Sequence, residues 1–235
     1  MTQCSFKGSL ADVKLLADSD IEGQTLTGDI NIQAGKGIGV GIGVVLGIDN
    51  STVSSKIDGS TISKSNSIES KATSVDDRQF LAVNLGLSDS SYQILTNGAV
   101  NIYKTTVESK VVNNSKLTSD GAVSLLSNYE NKNQGITAIA EKTADGLAFG
   151  ANILASYYGN TVKSELEKGS NIEKSGSVKI DADTSEKISY IPAALAIATG
   201  HASSVGADIV VNILKNKTYA NVYGNVTTIG NLVVK

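Results

Sequence analysis

The chain repeats itself, and internal repetition narrows the available folds more than any other property of this sequence. Four stretches align: STVSSKI (51–57), TTVESKV (105–111), NTVKSEL (160–166) and KTYANVY (217–223). Their threonines, Thr52, Thr106, Thr161 and Thr218, stand 54, 55 and 57 residues apart. Upstream, the likeness extends through Val44/Leu46/Ile48, Gly98/Val100/Ile102, Ile153/Ala155/Tyr157 and Val210/Asn212/Leu214. Downstream, Ile68, Val123, Val178 and Leu232 fall into line at spacings of 55, 55 and 54. A further copy, TGDINIQA (27–34), places Ile30 only 38 residues before Ile68. The missing 17 residues are about a third of a repeat, which predicts a subunit of roughly 18 residues.

Within a repeat, apolar anchors recur every five or six residues, as in Ile57, Ile62 and Ile68, then Val111, Leu117 and Val123. Each anchor segment alternates with period two, the signature of a strand. The alternation predicts that Val53, Ser55 and Ile57 point inward, with Val107/Ser109/Val111 and Val162/Ser164/Leu166. Thr52, Ser54 and Lys56 then face out, and the central serines form a buried column bonded to backbone or to one another. In the fourth copy Ala220 and Val222 replace Tyr219 and Tyr223 inside. Turn chemistry separates the strands at Asp58-Gly59, Asn113-Asn114, Lys168-Gly169 and Gly224-Asn225. Short strands with turns at fixed intervals predict an all-β parallel β-helix, with about 18 residues per coil and three coils in each ~55-residue repeat. Residues 1–235 then form one solenoid segment of about twelve or thirteen circuits, a rod roughly 60 Å long.

The segment GIGVGIGVVLGIDN (37–50) alternates glycine with aliphatic residues. Its apolar run, Ile38–Ile48, is far shorter than the ~20 residues that span a bilayer as a helix. It lacks the spacing of a dinucleotide or Walker phosphate loop. It reads as a strand whose Ile and Val side chains fill the interior, while the glycine face lies at a corner or beneath a close neighbour.

Composition supports strands and polar turns: 29 Ser, 18 Thr and 19 Asn against a single proline, Pro192, and no tryptophan. The net charge of −3, with Arg78 the only arginine, lacks the basic footprint of a nucleic-acid binder. MTQCSFKGSL, at the start, has no apolar core of a signal peptide. Cys4 is alone and forms no internal disulfide.

Two stretches, GADIVVNILKNKTYANVYGNVTTIGNLVVK (206–235) and GIGVGIGVVLGIDNSTVSSKI (37–57), resemble the recurring unit of very large secreted bacterial adhesins. These are the leukotoxin-family and filamentous-haemagglutinin-like proteins of anaerobic Gram-negative bacteria. The likeness covers about two thirds of the chain in four copies. It departs most in LAVNLGLSDSSYQILTNGAV (81–100). The resemblance implies a right-handed β-helix, exported through an outer-membrane pore and acting in host-cell contact or as a leukocyte-directed toxin. The six-residue spacing leaves a left-handed β-helix of the hexapeptide type as the alternative, disfavoured because the hexads hold for only part of each unit.

Catalytic chemistry finds little purchase. His201 is the one histidine, and no nucleophile elbow surrounds Ser203 or Ser204. A lone His and a distant Cys make no zinc set. Asp76, Asp77 and Arg78 suggest a β-helical lyase or glycosidase, but adjacent aspartates on a strand point to opposite faces. The expectation is turn-forming, solvated charge. Tyr157, Tyr158, Tyr219 and Tyr223 are candidates for sugar or protein contact, or for aromatic capping of the stack. Sequons at Asn50, Asn113, Asn216 and Asn225 fall in predicted turns.

The expected function is a non-catalytic segment of a secreted or cell-surface adhesin or leukotoxin: a rigid stalk and host-cell contact surface, without cofactor or metal. Its expected partners are a host-cell receptor, protein or glycan, and flanking β-helical segments, with no nucleic acid and no membrane span. A β-helical carbohydrate-active enzyme is the alternative, and a self-assembling fibre shares the fold. The strand-like ending GNLVVK predicts that the chain is a piece of a longer protein, with ends that stack end to end.

Overall fold

A strand of more than twenty residues is unusual, yet period-two patterning here runs uninterrupted for that length. In a computed structural model the chain is all-β and, among the described residues, has no helix. The description omits residues 1–4, 7–9, 34–36, 89–91, 145 and 200, and the side chains of 5, 6, 10 and 33. Cys4 therefore lies outside the described residues.

Each repeat contributes a short strand, a long outbound strand and a long return strand. The first comprises β1 (Ser5–Phe6), β2 (Leu10–Gln33) and β3 (Ile38–Asp58). The second comprises β4 (Thr61–Ile62), β5 (Ser65–Ser88) and β6 (Tyr92–Val112). The third has β7 (Lys116–Thr118), β8 (Ala122–Thr143) and a return strand split into β9 (Leu147–Tyr158) and β10 (Thr161–Leu166). The fourth has β11 (Asn171–Lys174), β12 (Ser177–Ala198), β13 (Ser203–Leu214) and β14 (Lys217–Val222), and β15 (Asn225–Val226) and β16 (Leu232–Val234) follow.

Three parallel sheets result. The short sheet runs β1-β4-β7-β11-β15, the outbound sheet β2-β5-β8-β12-β16, and the return sheet β3-β6-β9/β10-β13/β14. The chain visits the three sheets in fixed cyclic order, one strand per repeat in each. Paired residues lie a whole repeat apart: Val13 beside Ile68, Ile68 beside Val123, Val123 beside Val178 and Val178 beside Leu232.

This register corrects the 18-residue coil. The residue matching Ile68 one step earlier is Val13, and Ile30 pairs with Leu85 near the far end of the same two strands. A strand of 24 residues repeats its own period-two pattern many times, so TGDINIQA matches a later copy out of register. One circuit is the whole repeat of about 55 residues. The molecule is a slab rather than a long rod: five strands deep at ~4.8 Å each, with strands reaching roughly 75 Å. The fourth copy is also offset by one, because Thr218 pairs with Val162 and Lys217 with Thr161.

The inward register holds. Val53, Ser55 and Ile57 are buried, as are Val107, Ser109, Val111, Val162, Ser164 and Leu166. Ala220 and Val222 pack against the core while Tyr219 and Tyr223 are exposed. Thr52 and Ser54 face solvent, and Lys56, Glu108 and Lys110 bridge along the outer face. Glu165, on that same face, is covered by Lys163 at 2.6 Å and Asn221 at 3.4 Å. The serines bond across the slab: Ser55 and Ser109 reach Ser70 at 2.8 and 2.9 Å, and Ser164 donates to Ser127 at 3.0 Å.

The main core is where the three sheets meet at their base. Ile57, Ile62, Ile68, Val111, Leu117, Val123, Leu166, Ile172 and Val178 form one buried cluster. The five-to-six-residue spacing of these anchors is the distance from the return sheet through the short sheet to the next outbound strand. Asn113 and Asn114 take φ of 56° and 59° at the turn between return and short strands. Gly59 and Gly169 take 54° and 91° there. Those left-handed values favour glycine and asparagine.

Candidate functional site

Away from the base, the distal halves of the outbound and return sheets lie face to face, and their polarity is reversed. The parity that turns Val53 and Ile57 inward carries up β3 without a break, so Gly39, Gly41, Gly43 and Val45 are inside. Ile38, Val40, Ile42, Val44, Leu46 and Ile48 point out and are 52 to 67% exposed. The expectation that these aliphatics fill the interior is overturned. Both the neighbouring strand and the facing sheet crowd the glycines: a Cβ at Gly41 would meet Leu95 Cδ2 of β6 and Asp29 Oδ2 of β2, each at 2.7 Å, and one at Gly43 would meet Asn97 Oδ1 of β6 at 2.5 Å and Asn84 Oδ1 of β5 at 3.1 Å. The close-neighbour reading of the glycine face does hold, on the opposite side of the sheet from the one expected.

The interior that the glycines face is a ladder of amides. Asn97 donates to Ala138 O at 3.1 Å and to Asn152 Oδ1 at 3.2 Å. Asn152 donates in turn to Ala193 O and to Asp208 Oδ1, and Asn84 donates to Thr96 O. The bonds to Ala138 O, Ala193 O and Thr96 O tie outbound to return strands, the other two link neighbouring return strands, and together they satisfy buried amide N–H groups that would otherwise be costly. Glu141, 2% exposed among them, has no hydrogen-bond partner for either carboxylate oxygen among the described residues. Burial pushes its pKa up to about 7.

Between amide ladder and base sits a charged and aromatic cluster. Arg78 Nε donates to Asp76 Oδ1 at 2.5 Å, Nη2 donates to Asp49 Oδ2 at 2.6 Å, and the guanidinium lies 4.6 Å from the Tyr103 ring centre. Tyr103 packs on Tyr158, whose hydroxyl bonds Tyr190. A cavity of about 230 Å³ opens beside Asp49, Arg78, Tyr103, Asn133 and Tyr190. Burial raises Asp76 against the pull of Arg78, and burial pushes the Tyr103 hydroxyl up to about 12. Burial works against Arg78's charge, but Asp76 and Asp49 outweigh it and hold the guanidinium cationic. With both strong donor directions of Arg78 engaged, the cluster acts as an internal clamp between outbound and return strands.

Asp76 and Asp77 do point to opposite faces, but they lie in mid-strand on β5 rather than in a turn, and Asp76 is fully buried. His201 is an exposed turn residue beside exposed Ser203 and Ser204. Tyr158 is buried, Tyr157 half-buried and Tyr219 and Tyr223 exposed, so the tyrosines do not converge. Asn113 is in a turn, whereas Asn50 lies within β3 and Asn225 within β15.

What the structure brings together is the outward apolar surface. On the return sheet the ladder runs Val44-Gly98-Ile153-Ile209, Leu46-Val100-Ala155-Val211 and Ile48-Ile102-Tyr157-Ile213. On the outbound sheet Leu26, Leu81, Ile136 and Ile191 align beside a row of Gln24, Gln79, Gln134 and Ser189. The two rows border a groove of about 590 Å³ in which Phe80 leans over Gly135. Among the described residues no three His, Cys, Asp or Glu side chains gather as a metal site, and no helix is long and apolar enough to cross a membrane. No protein-family model matches the chain, and neither the curated proteins nor the solved structures contain a significant match.

Proposed function

We propose that this chain is a right-handed β-solenoid segment of a secreted or cell-surface bacterial adhesin or leukotoxin, serving as a rigid, non-catalytic contact surface for a host cell. The observation that carries the reading is the stacking of one repeat per step, which sets equivalent outward positions of four repeats side by side, as in Ile48, Ile102, Tyr157 and Ile213. Such ladders suit multivalent contact with a protein or glycan surface. Parallel strands joined through other sheets favour the right-handed winding. Arg78 and the buried tyrosines serve to hold the sheets in place, and the contact surface is the outer faces.

The test is binding of the fluorescently labelled chain to leukocytes and epithelial cells, with release of a cytosolic dye as a measure of killing. Saturable binding to at least one cell type is expected, competed by unlabelled chain. Absence of binding to both overturns the reading. Release of oligosaccharides from a panel of polysaccharides would overturn its non-catalytic part.

A further inference from the structure

We propose that the distal return sheet is a self-association face, on which a second copy of this chain docks sheet against sheet. The band is bounded. Outward residues are aliphatic, Gly, Thr or aromatic from Ile38 to Ile48 and at the paired positions of β6 and β9. They turn polar at Asn50 and Lys104 beyond. It is not an artefact of edge position, because Val100 and Ile153, on the two central strands, are 43% and 52% exposed.

Eleven residues at ~3.3 Å and four strands at ~4.8 Å give a face of roughly 700 Å². That is above the ~600 Å² that the largest apolar patch of a monomer normally reaches. Two such faces together bury about 1,400 Å², within the range of a specific interface. The outbound face is shorter, since its aliphatic row starts only at Leu26 and its paired residues. An all-parallel sheet is ordinarily covered on both sides. Here one side of the distal return sheet is covered by the outbound sheet and the other by nothing among the described residues.

A lipid surface fits less well than a second copy. Among the described residues the distal half of β3 pairs only with β6, and β13 only with β9, so both sides of the band are open strand edges there. Hydrocarbon offers their N–H and C=O groups no partner. A facing copy covers the side chains and leaves the edges to water. The rows of Ile, Val and Ala interdigitate with an identical row spacing at the ~10 Å distance of packed sheets.

Sedimentation velocity of the 235-residue chain across a micromolar concentration series tests this, with V100K/I153K as the band variant and T52K as control on the same outer face. The wild type and control are expected to pass from monomer to dimer. The band variant should need at least ~10-fold more protein. V100S/I153S replaces it if circular dichroism shows the lysine pair unfolded. A wild type that stays monomeric overturns the proposal. So does a band variant that associates like wild type, which would assign association to strand edges. Flotation of the wild type with phosphatidylcholine vesicles, lost in the band variant, would overturn it in favour of a membrane. Cell binding by a monomeric wild type would leave the proposed function standing and remove only this inference.

Discussion

A methyl group at residue 43 has nowhere to go. It would lie 2.5 Å from Asn97 Oδ1 and 3.1 Å from Asn84 Oδ1. The Asn97 amide group is held by Ala138 O and Asn152 Oδ1, so it cannot swing aside without stranding buried polar atoms. G43A is expected to cost ~1–3 kcal/mol in urea unfolding, and an unchanged midpoint would mean the sheets part freely there. Arg78 is the charged counterpart. Its removal leaves Asp76 and Asp49 facing each other without a cation, and R78L should cost ~3 kcal/mol or more, measured the same way. Glu141 gives a pH signature. Its folded pKa of about 7 lies above the ordinary 4.5, so the fold favours the neutral acid. Its contribution is complete below the unfolded pKa and is lost as pH rises through the folded one. Relative to E141Q, the wild type should lose on the order of 3 kcal/mol between pH 4.5 and 7.5. Parallel pH profiles for the two proteins would refute this.

At the scale of the element, what the sequence disclosed and what it hid have the same cause. Period two is read reliably wherever hydroxyl, aliphatic and charged residues alternate, and so Val53, Ser55 and Ile57 were placed correctly. The same parity, carried back along an unbroken strand, puts Gly39, Gly41 and Gly43 inside as well. Nothing in Ser51, Asn50 or Asp49 marks a break, so continuity was the signal that could have located the outward aliphatic band. The ordinary assumption that Ile and Val point inward concealed it. Length was hidden for a related reason: a 24-residue strand contains several windows that look like one another, so Ile30 imitated Val13. Arg78 was visible only as a charge near two acids, because its partner Asp49 comes from the adjacent sheet, 29 residues away. The serine contacts allow a check at this scale. S109A removes bonds to Ser70 O at 2.7 Å and Ser70 Oγ at 2.9 Å. It is expected to cost ~1–2 kcal/mol, whereas S54A, on the outer face of the equivalent strand, should cost less than ~0.5 kcal/mol.

At the scale of the molecule the slab has two unlike ends. Its base encloses the largest apolar cluster, built from all three sheets. The distal end encloses amides, Glu141 and the smaller group of Val45, Ala82, Ala99 and Leu154, and turns its aliphatics outward. Burial of apolar surface supplies most of the drive to fold, so the base should be the last part to open. L117A, in the short sheet at the base, is expected to cost ~2–4 kcal/mol. V100A, on the outward distal face, should stay within about 0.5 kcal/mol. The same asymmetry should appear without mutation in native-state hydrogen exchange, because local opening follows local burial. Amides of residues 107–112 in β6 should exchange only on global unfolding, and those of residues 94–100 in the same strand should exchange through a smaller opening. Because both sets belong to one continuous strand of the return sheet, strand pairing is held constant and only the facing layer differs. Raising protein concentration should then slow the distal set alone if a second copy covers its outer face. Equal protection along the whole of β6 at low concentration would show instead that the amide ladder holds the distal sheets as firmly as the apolar base.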